Sequence, residues 1–164
     1  MSVLDVLTWL EFSAVGRLVN ESRWGFPLVV TMHILGLAAS AGLIVWFDLR
    51  LLGVAMRTCP VRDVYRRLIP WAATGFAVMF VTGGLLFIGY ATLAYGNPYF
   101  LVKMAAIALA GLNALVYHRV TERRVAVWND AVQPPMAARA AGLLSIACWA
   151  TAVLAGRMMS YTMF

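Results

Sequence analysis

Apolar residues in this chain come in four long runs, at residues 26–47, 69–91, 99–118 and 138–160. Crossing the hydrocarbon layer takes about 20 apolar residues as a helix, so each run predicts one span. Backbone groups in lipid must bond within their own segment, which excludes isolated strands. Polar breaks separate the runs. Tyr95-Gly96-Asn97-Pro98 interrupts the second and third, and Pro134-Pro135 precedes the fourth. Pro70 stands near the start of the second run, a position suited to a first helical turn. Residues 2–20 follow another pattern. Val3, Val6, Leu7, Leu10 and Ala14 recur at helical spacing, while Asp5, Glu11 and Arg17 interrupt them. That pattern predicts an amphipathic helix lying at the membrane surface. The expected fold is all-α: one domain over residues 1–164, a membrane four-helix bundle with an N-terminal interfacial helix. Small residues at close-packing spacing, Gly36/Ser40 and Gly75/Met79/Gly83, predict tight helix contact.

Composition strengthens this reading. The chain has 164 residues, 63% hydrophobic and 12% charged, where a soluble domain averages about 25% charged. The formal charge of +6 would suit nucleic acid if the basic residues formed a stripe. Instead nine of the thirteen fall in or beside two loops: Arg50, Arg57, Arg62, Arg66 and Arg67, then Arg119, Arg123, Arg124 and Arg139. The loop at residues 92–98 carries no charge. Arginine placement predicts that both long loops are cytoplasmic and both termini periplasmic, in a bacterial inner membrane, with lipid rather than nucleic acid as partner. The start of the chain lacks the basic residues of a cleavable leader. Cys59 and Cys148 suggest neither a disulfide nor a metal motif. There is no glycine-rich phosphate loop, nucleophile elbow or zinc-binding histidine pair. Asp48 with Arg50, and Asp63 with Arg66 and Arg67, read as interfacial ion pairs.

Ionisable groups within a bilayer are costly and mark function by default. His33 lies about 10 Å deep in the first run and Lys103 about 6 Å deep in the third, both from the same face of the membrane. Gly83-Gly84 reaches a similar depth in the second run, and Arg157 in the fourth. A heme suits such a layer. His33 supplies an axial imidazole and Lys103 an amine. The glycines, with Ala105 and Ala106 opposite, leave room for a flat ring, and Arg157 reaches its propionates. Each residue also has a plainer role: a packed histidine, a snorkelling lysine, a packing notch, an interfacial anchor. His118 lies about 20 Å from this layer, at the other end of the bundle, and reads as a boundary residue. A competing set, Met32, Met104, Met158, Met159 and Met163 near His33, would suit copper.

Three stretches resemble the HemJ-type protoporphyrinogen oxidases, four-helix membrane proteins that bind heme b. They are Met32-His33-Ile34 with Trp46-Phe47-Asp48-Leu49-Arg50-Leu51, then Tyr65-Arg66-Arg67-Leu68-Ile69, then Tyr99-Phe100-Leu101-Val102-Lys103. The resemblance covers roughly residues 28–120. It implies that His33 and Lys103 are the functional pair, and the chain departs from it by its extra N-terminal segment. The chain also resembles uncharacterised bacterial membrane proteins of this size. Three functions remain open from sequence: electron transfer or oxidation of a lipophilic substrate such as a quinol or porphyrinogen, copper binding or transport, and a cofactor-free assembly subunit. A quinone or redox partner follows from the first, and a homo-oligomer is compatible with all three.

Overall fold

Among the described residues, four helices are long and apolar enough to cross a membrane: Gly25–Leu51, Val61–Gly89, Pro98–Arg119 and Met136–Met163. They are called the first to fourth spans below. The computed structural model describes residues 2–121 and 125–163, and among these there is no strand. The fold is an all-α four-helix bundle, as the apolar runs predict. Arg123 and Arg124, two of the arginines expected in the second long loop, lie outside the described residues.

The second span begins at Val61, well before residue 69, so Pro70 lies inside the helix rather than at its first turn. The reason is packing. Val61, Val64, Tyr65 and Leu68 recur at helical spacing among the charges and join Phe47, Leu51, Tyr117, Val125 and Ala138 in one buried cluster. That burial extends the helix past the point where hydropathy alone would end it.

The N-terminal segment forms two helices, Val3–Glu11 and Ala14–Asn20, in place of the single one expected. Ser2 and Asp5 form a reciprocal cap on the first. Ser13 stops it and caps the second, its hydroxyl accepting from the Gly16 amide at 3.1 Å. The first fastens to the short helix Ala91–Tyr95 that follows the second span, and the second to the span's last residue, Gly89. The Glu11 carboxylate accepts from the Thr92 amide at 3.1 Å and the Thr92 hydroxyl at 2.6 Å. Asn20 donates to the Gly89 carbonyl at 3.0 Å. Burial, and Glu11 nearby, push the Tyr90 phenol up. Trp9, Phe12 and Leu18 stay exposed, as an interfacial segment requires.

The spans associate in two pairs. The first packs along the second, and the third along the fourth. A second contact ties the pairs together: Leu43–Leu51 of the first span also packs against the fourth. Within the first pair the backbones touch. A Cβ on Gly75 would stand 2.6 Å from the Ser40 nitrogen, and one on Gly36 would stand 2.9 Å from the Met79 nitrogen. The small-residue motifs of both helices therefore meet each other, which is what their spacing is for. Beside this crossing the first span makes a π turn at Ala38–Gly42. Ala41, Met79, Ala110, Cys148 and Trp149 close the middle of the bundle.

The two ends differ in their connections. One end carries the N-terminal helices, the short loop around Gly96 and the chain terminus. The other carries residues 52–60 and 125–135 of the two long connections. They are the short-loop and long-loop ends.

Candidate functional site

A histidine and a lysine on different helix pairs share one layer near the short-loop end. His33, on the first span, lies over the second. A Cβ on Gly83 would come within 3.1 Å of its Cε1 atom. Lys103, on the third span, lies over the fourth. A Cβ on Gly156 would stand 3.7 Å from its Cδ and 3.9 Å from its Nζ. Each polar side chain thus rests in a glycine notch on the neighbouring helix of its own pair. Both are half-buried, and Lys103 is near enough for its charge to act on the imidazole.

The imidazole is oriented by a hydroxyl. His33 Nδ1 is 3.0 Å from Thr82 Oγ1, and Thr82 Oγ1 itself donates to the Val78 carbonyl at 2.7 Å. With its own proton committed there, the hydroxyl oxygen accepts from Nδ1–H. The assignment follows from the network, and it leaves the lone pair on Nε2. Metal-binding histidines are commonly held this way, the second nitrogen donating to a fixed acceptor.

Sequence reasoning found His33, Lys103 and Gly83 but not Thr82 or Gly156. Both adjoin residues it did single out, Gly83 and Arg157. Their roles depend on helix rotation, which depth alone does not give.

The remaining expected residues stand elsewhere. Gly84 faces open space, with nothing within 4 Å of a Cβ placed on it. Of the alanines, Ala106 is buried and Ala105 exposed. Arg157 is exposed, with its guanidinium 4.9 Å from the Tyr161 ring centre on its own helix. It turns away from Lys103, and the neighbouring Gly156 takes the inward position. Met32, Met104 and Met158 are exposed on the bundle surface, so they do not gather around His33. Among the described residues no group of three or more His, Cys, Asp or Glu side chains is placed to hold a metal ion. His33 with Lys103 is a pair of donors. A pair suits the two axial positions of a macrocyclic iron better than the full coordination shell of a bare ion.

At the long-loop end the expected Asp48–Arg50 ion pair does not form. Arg50 is fully buried and donates from Nε to the Cys59 carbonyl at 2.8 Å and from Nη2 to the Ala131 carbonyl at 3.0 Å. It ties both long loops to the bundle. The sequence placed these two residues at an exposed helix end, whereas the loops fold over that end. His118 is half-buried there, its Nε2 3.4 Å from the Tyr65 hydroxyl. That contact joins the second and third spans, well away from His33.

Fold and site together define a small multi-pass α-helical membrane protein with a histidine–lysine pair at the seam between two helix pairs. The chain belongs to a family of unknown function, DUF6644, whose model matches residues 6–162, from the first N-terminal helix to the end of the fourth span. No curated protein and no solved structure matches it.

Proposed function

We propose that this protein binds heme b at the His33–Lys103 layer and serves electron transfer or the oxidation of a lipophilic substrate such as a quinol or porphyrinogen. The observation that carries the reading is the placement of two nitrogen donors, one per helix pair, across a single seam. His33 Nε2 and the Lys103 amine would be the nitrogen ligands that hold the group. Thr82 fixes the imidazole tautomer and direction. Gly83 and Gly156 let the two donor side chains lie flat against neighbouring helices. When bound, the group supplies one-electron redox chemistry, and the protein supplies ligation and surroundings. An apolar groove of about 380 Å³ runs between the first and second spans, from Met32 to Trp71. It suits approach of a lipid-soluble partner such as a quinone. By arginine placement, the layer faces the periplasmic side of a bacterial inner membrane, with both termini on that side.

The test is the absorption spectrum of the full chain purified from heme-replete cells, with metal analysis. The expected result is a Soret band that is lost in His33→Ala and kept in His118→Ala. Lys103→Met should keep the heme but change the low-spin spectrum, since a thioether replaces the amine. A protein without heme, or a Soret band unchanged in His33→Ala, overturns the reading. Stoichiometric copper would favour metal handling instead, and neither cofactor would favour an assembly role.

A further inference from the structure

Across the bundle from His33, the long-loop half holds a second polar constellation. A cavity of about 90 Å³ is lined from all four spans, by Asp48 of the first, Tyr65 of the second, Asn113 and His118 of the third, and Ser145 of the fourth. Asp48 is 4% exposed, and its Oδ2 atom has no hydrogen-bond partner. Ser145 offers its hydroxyl to the same carboxyl. Arg50, two residues on, donates from Nε and Nη2 to the carbonyls of Cys59 and Ala131, while its buried Nη1 has no partner. Asn113 donates to the Ala141 carbonyl at 2.9 Å, which leaves its own carbonyl oxygen as an acceptor.

We propose that this cavity is a proton-binding site, with Asp48 as the group that takes up the proton and enclosed water as the link to His118. A carboxyl in apolar surroundings is costly to ionise without a partner, and among the described residues no cation stands against Asp48. A lone carboxyl buried in this way serves no packing purpose. The cavity has room for a few waters, each occupying about 30 Å³ in the liquid and needing two to four polar partners. The lining side chains supply those partners. His118 stands toward the long-loop face, where the third span leaves the bundle. Imidazole passes protons readily because one nitrogen accepts as the other donates. In the step itself an N–H bond of the His118 ring breaks and an O–H bond forms on Asp48 Oδ2 through the intervening water. The imidazolium becomes neutral and so does the carboxylate. The ring regains its proton from solvent, and no oxidant or reductant is required.

Other titratable groups bear on the site. Tyr65 faces it from the second span, and Tyr117 and His118 from the third. The fourth span contributes Ser145, with Arg139 six residues, or about 9 Å, further toward the loops. From the first span itself there is Arg50, turned away. A small cation is the competing occupant. It would find one carboxylate, Asp48, with the neutral oxygens of Asn113, Ser145, Tyr65 and Tyr117 on the lining, where hard-cation sites draw six or more oxygens, commonly from several carboxylates. The proposal stands whether or not His33 holds iron.

Infrared difference spectra of the full chain in lipid nanodiscs, recorded between acid and alkaline pH, read the carboxyl directly. A carbonyl stretch of a protonated acid should titrate in the native protein and vanish in Asp48→Asn, while Asp130→Asn retains it. His118→Gln should keep the band's amplitude and slow its response to a pH jump at least about tenfold, as loss of a proton shuttle requires. If Asp48→Asn does not fold, Ser145→Ala keeps the carboxyl and removes its hydroxyl partner. It should move the titration midpoint by about half a unit or more. A band that survives in Asp48→Asn overturns the proposal, as does a midpoint unmoved by Ser145→Ala. A midpoint that shifts when sodium replaces choline at constant ionic strength overturns it in favour of a cation site.

Discussion

At the short-loop end the polar side chains reach across helix surfaces into notches. His33 lies over Gly83 and Lys103 over Gly156, each on the partner helix of its own pair. At the long-loop end the polar side chains are enclosed. Arg50 is fully buried and fastened to two loop carbonyls, and Asp48 faces a cavity ringed by tyrosines and His118. The first arrangement leaves the His33 and Lys103 side chains half-buried, one on each helix pair. The second closes the seam, because Leu43–Leu51 packs against both the second and fourth spans. A bundle of four helices can thus hold a rigid half and a receptive half.

If that division is right, the largest loss of stability should come from Arg50. Arg50→Ala leaves two carbonyls without their charged donor, each bond worth about 1.5–3 kcal/mol. The expected cost is about 3 kcal/mol or more, read by denaturant unfolding of the purified protein in detergent. Arg50→Lys keeps the charge but loses the fork that reaches Cys59 and Ala131 at once. It should recover about half of the loss. Equal losses in both variants would mean that the planar fork, rather than the charge, holds the loops. A loss below about 1 kcal/mol in Arg50→Ala would remove the rigid half from the comparison.

The next effect sharpens where the pairs are built. Gly75→Ala places a methyl group 2.6 Å from the Ser40 nitrogen and 2.8 Å from the Ala39 carbonyl carbon. Backbone atoms cannot rotate aside, so the first pair must separate, at about 1–3 kcal/mol for overpacking. Gly84→Ala meets nothing within 4 Å and should fall within about 0.5 kcal/mol of the native protein. Gly83→Ala lies between, because its neighbour at 3.1 Å is the edge of the His33 side chain rather than backbone. It should disturb heme content more than folding. Were Gly84→Ala as damaging as Gly75→Ala, the notch would belong to an assembly contact outside this chain.

These expectations also show what the sequence could carry. The four spans were legible because lipid allows few backbone solutions and apolar length announces them. Tight helix contact at Gly36, Ser40 and Gly75 was legible from small-residue spacing, but not that these motifs would meet each other. His33 and Lys103 stood out because a charge or imidazole within an apolar run is rare. Thr82 and Gly156 were hidden because facing depends on rotation about each helix axis, and the π turn at Ala38–Gly42 alters that rotation midway along the first span. Asp48 and Arg50 were misread because their spacing matches an exposed ion pair. Only the fold of two loops over the helix end buries them. The start of the second span was misplaced for a related reason: charged residues mask the apolar stripe of Val61, Val64, Tyr65 and Leu68.

The smallest expected effect concerns Arg157, and it separates two views of the receptive half. By depth alone Arg157 belongs with His33 and Lys103, as a cation for heme propionates. By position it rests over the Tyr161 ring at 4.9 Å, with Nη2 3.4 Å from the Tyr161 hydroxyl. An exposed cation–π contact is worth about 0.5–1 kcal/mol. Arg157→Gln should therefore cost less than about 1 kcal/mol and leave heme content and the Soret position unchanged. Tyr161→Leu frees the guanidinium from its ring and should be equally quiet in the spectrum. A stable Arg157→Gln protein that loses half its heme or more would give the opposite answer. The arginine would then leave Tyr161 for the cofactor on binding, and the receptive half would extend to the outer end of the fourth span.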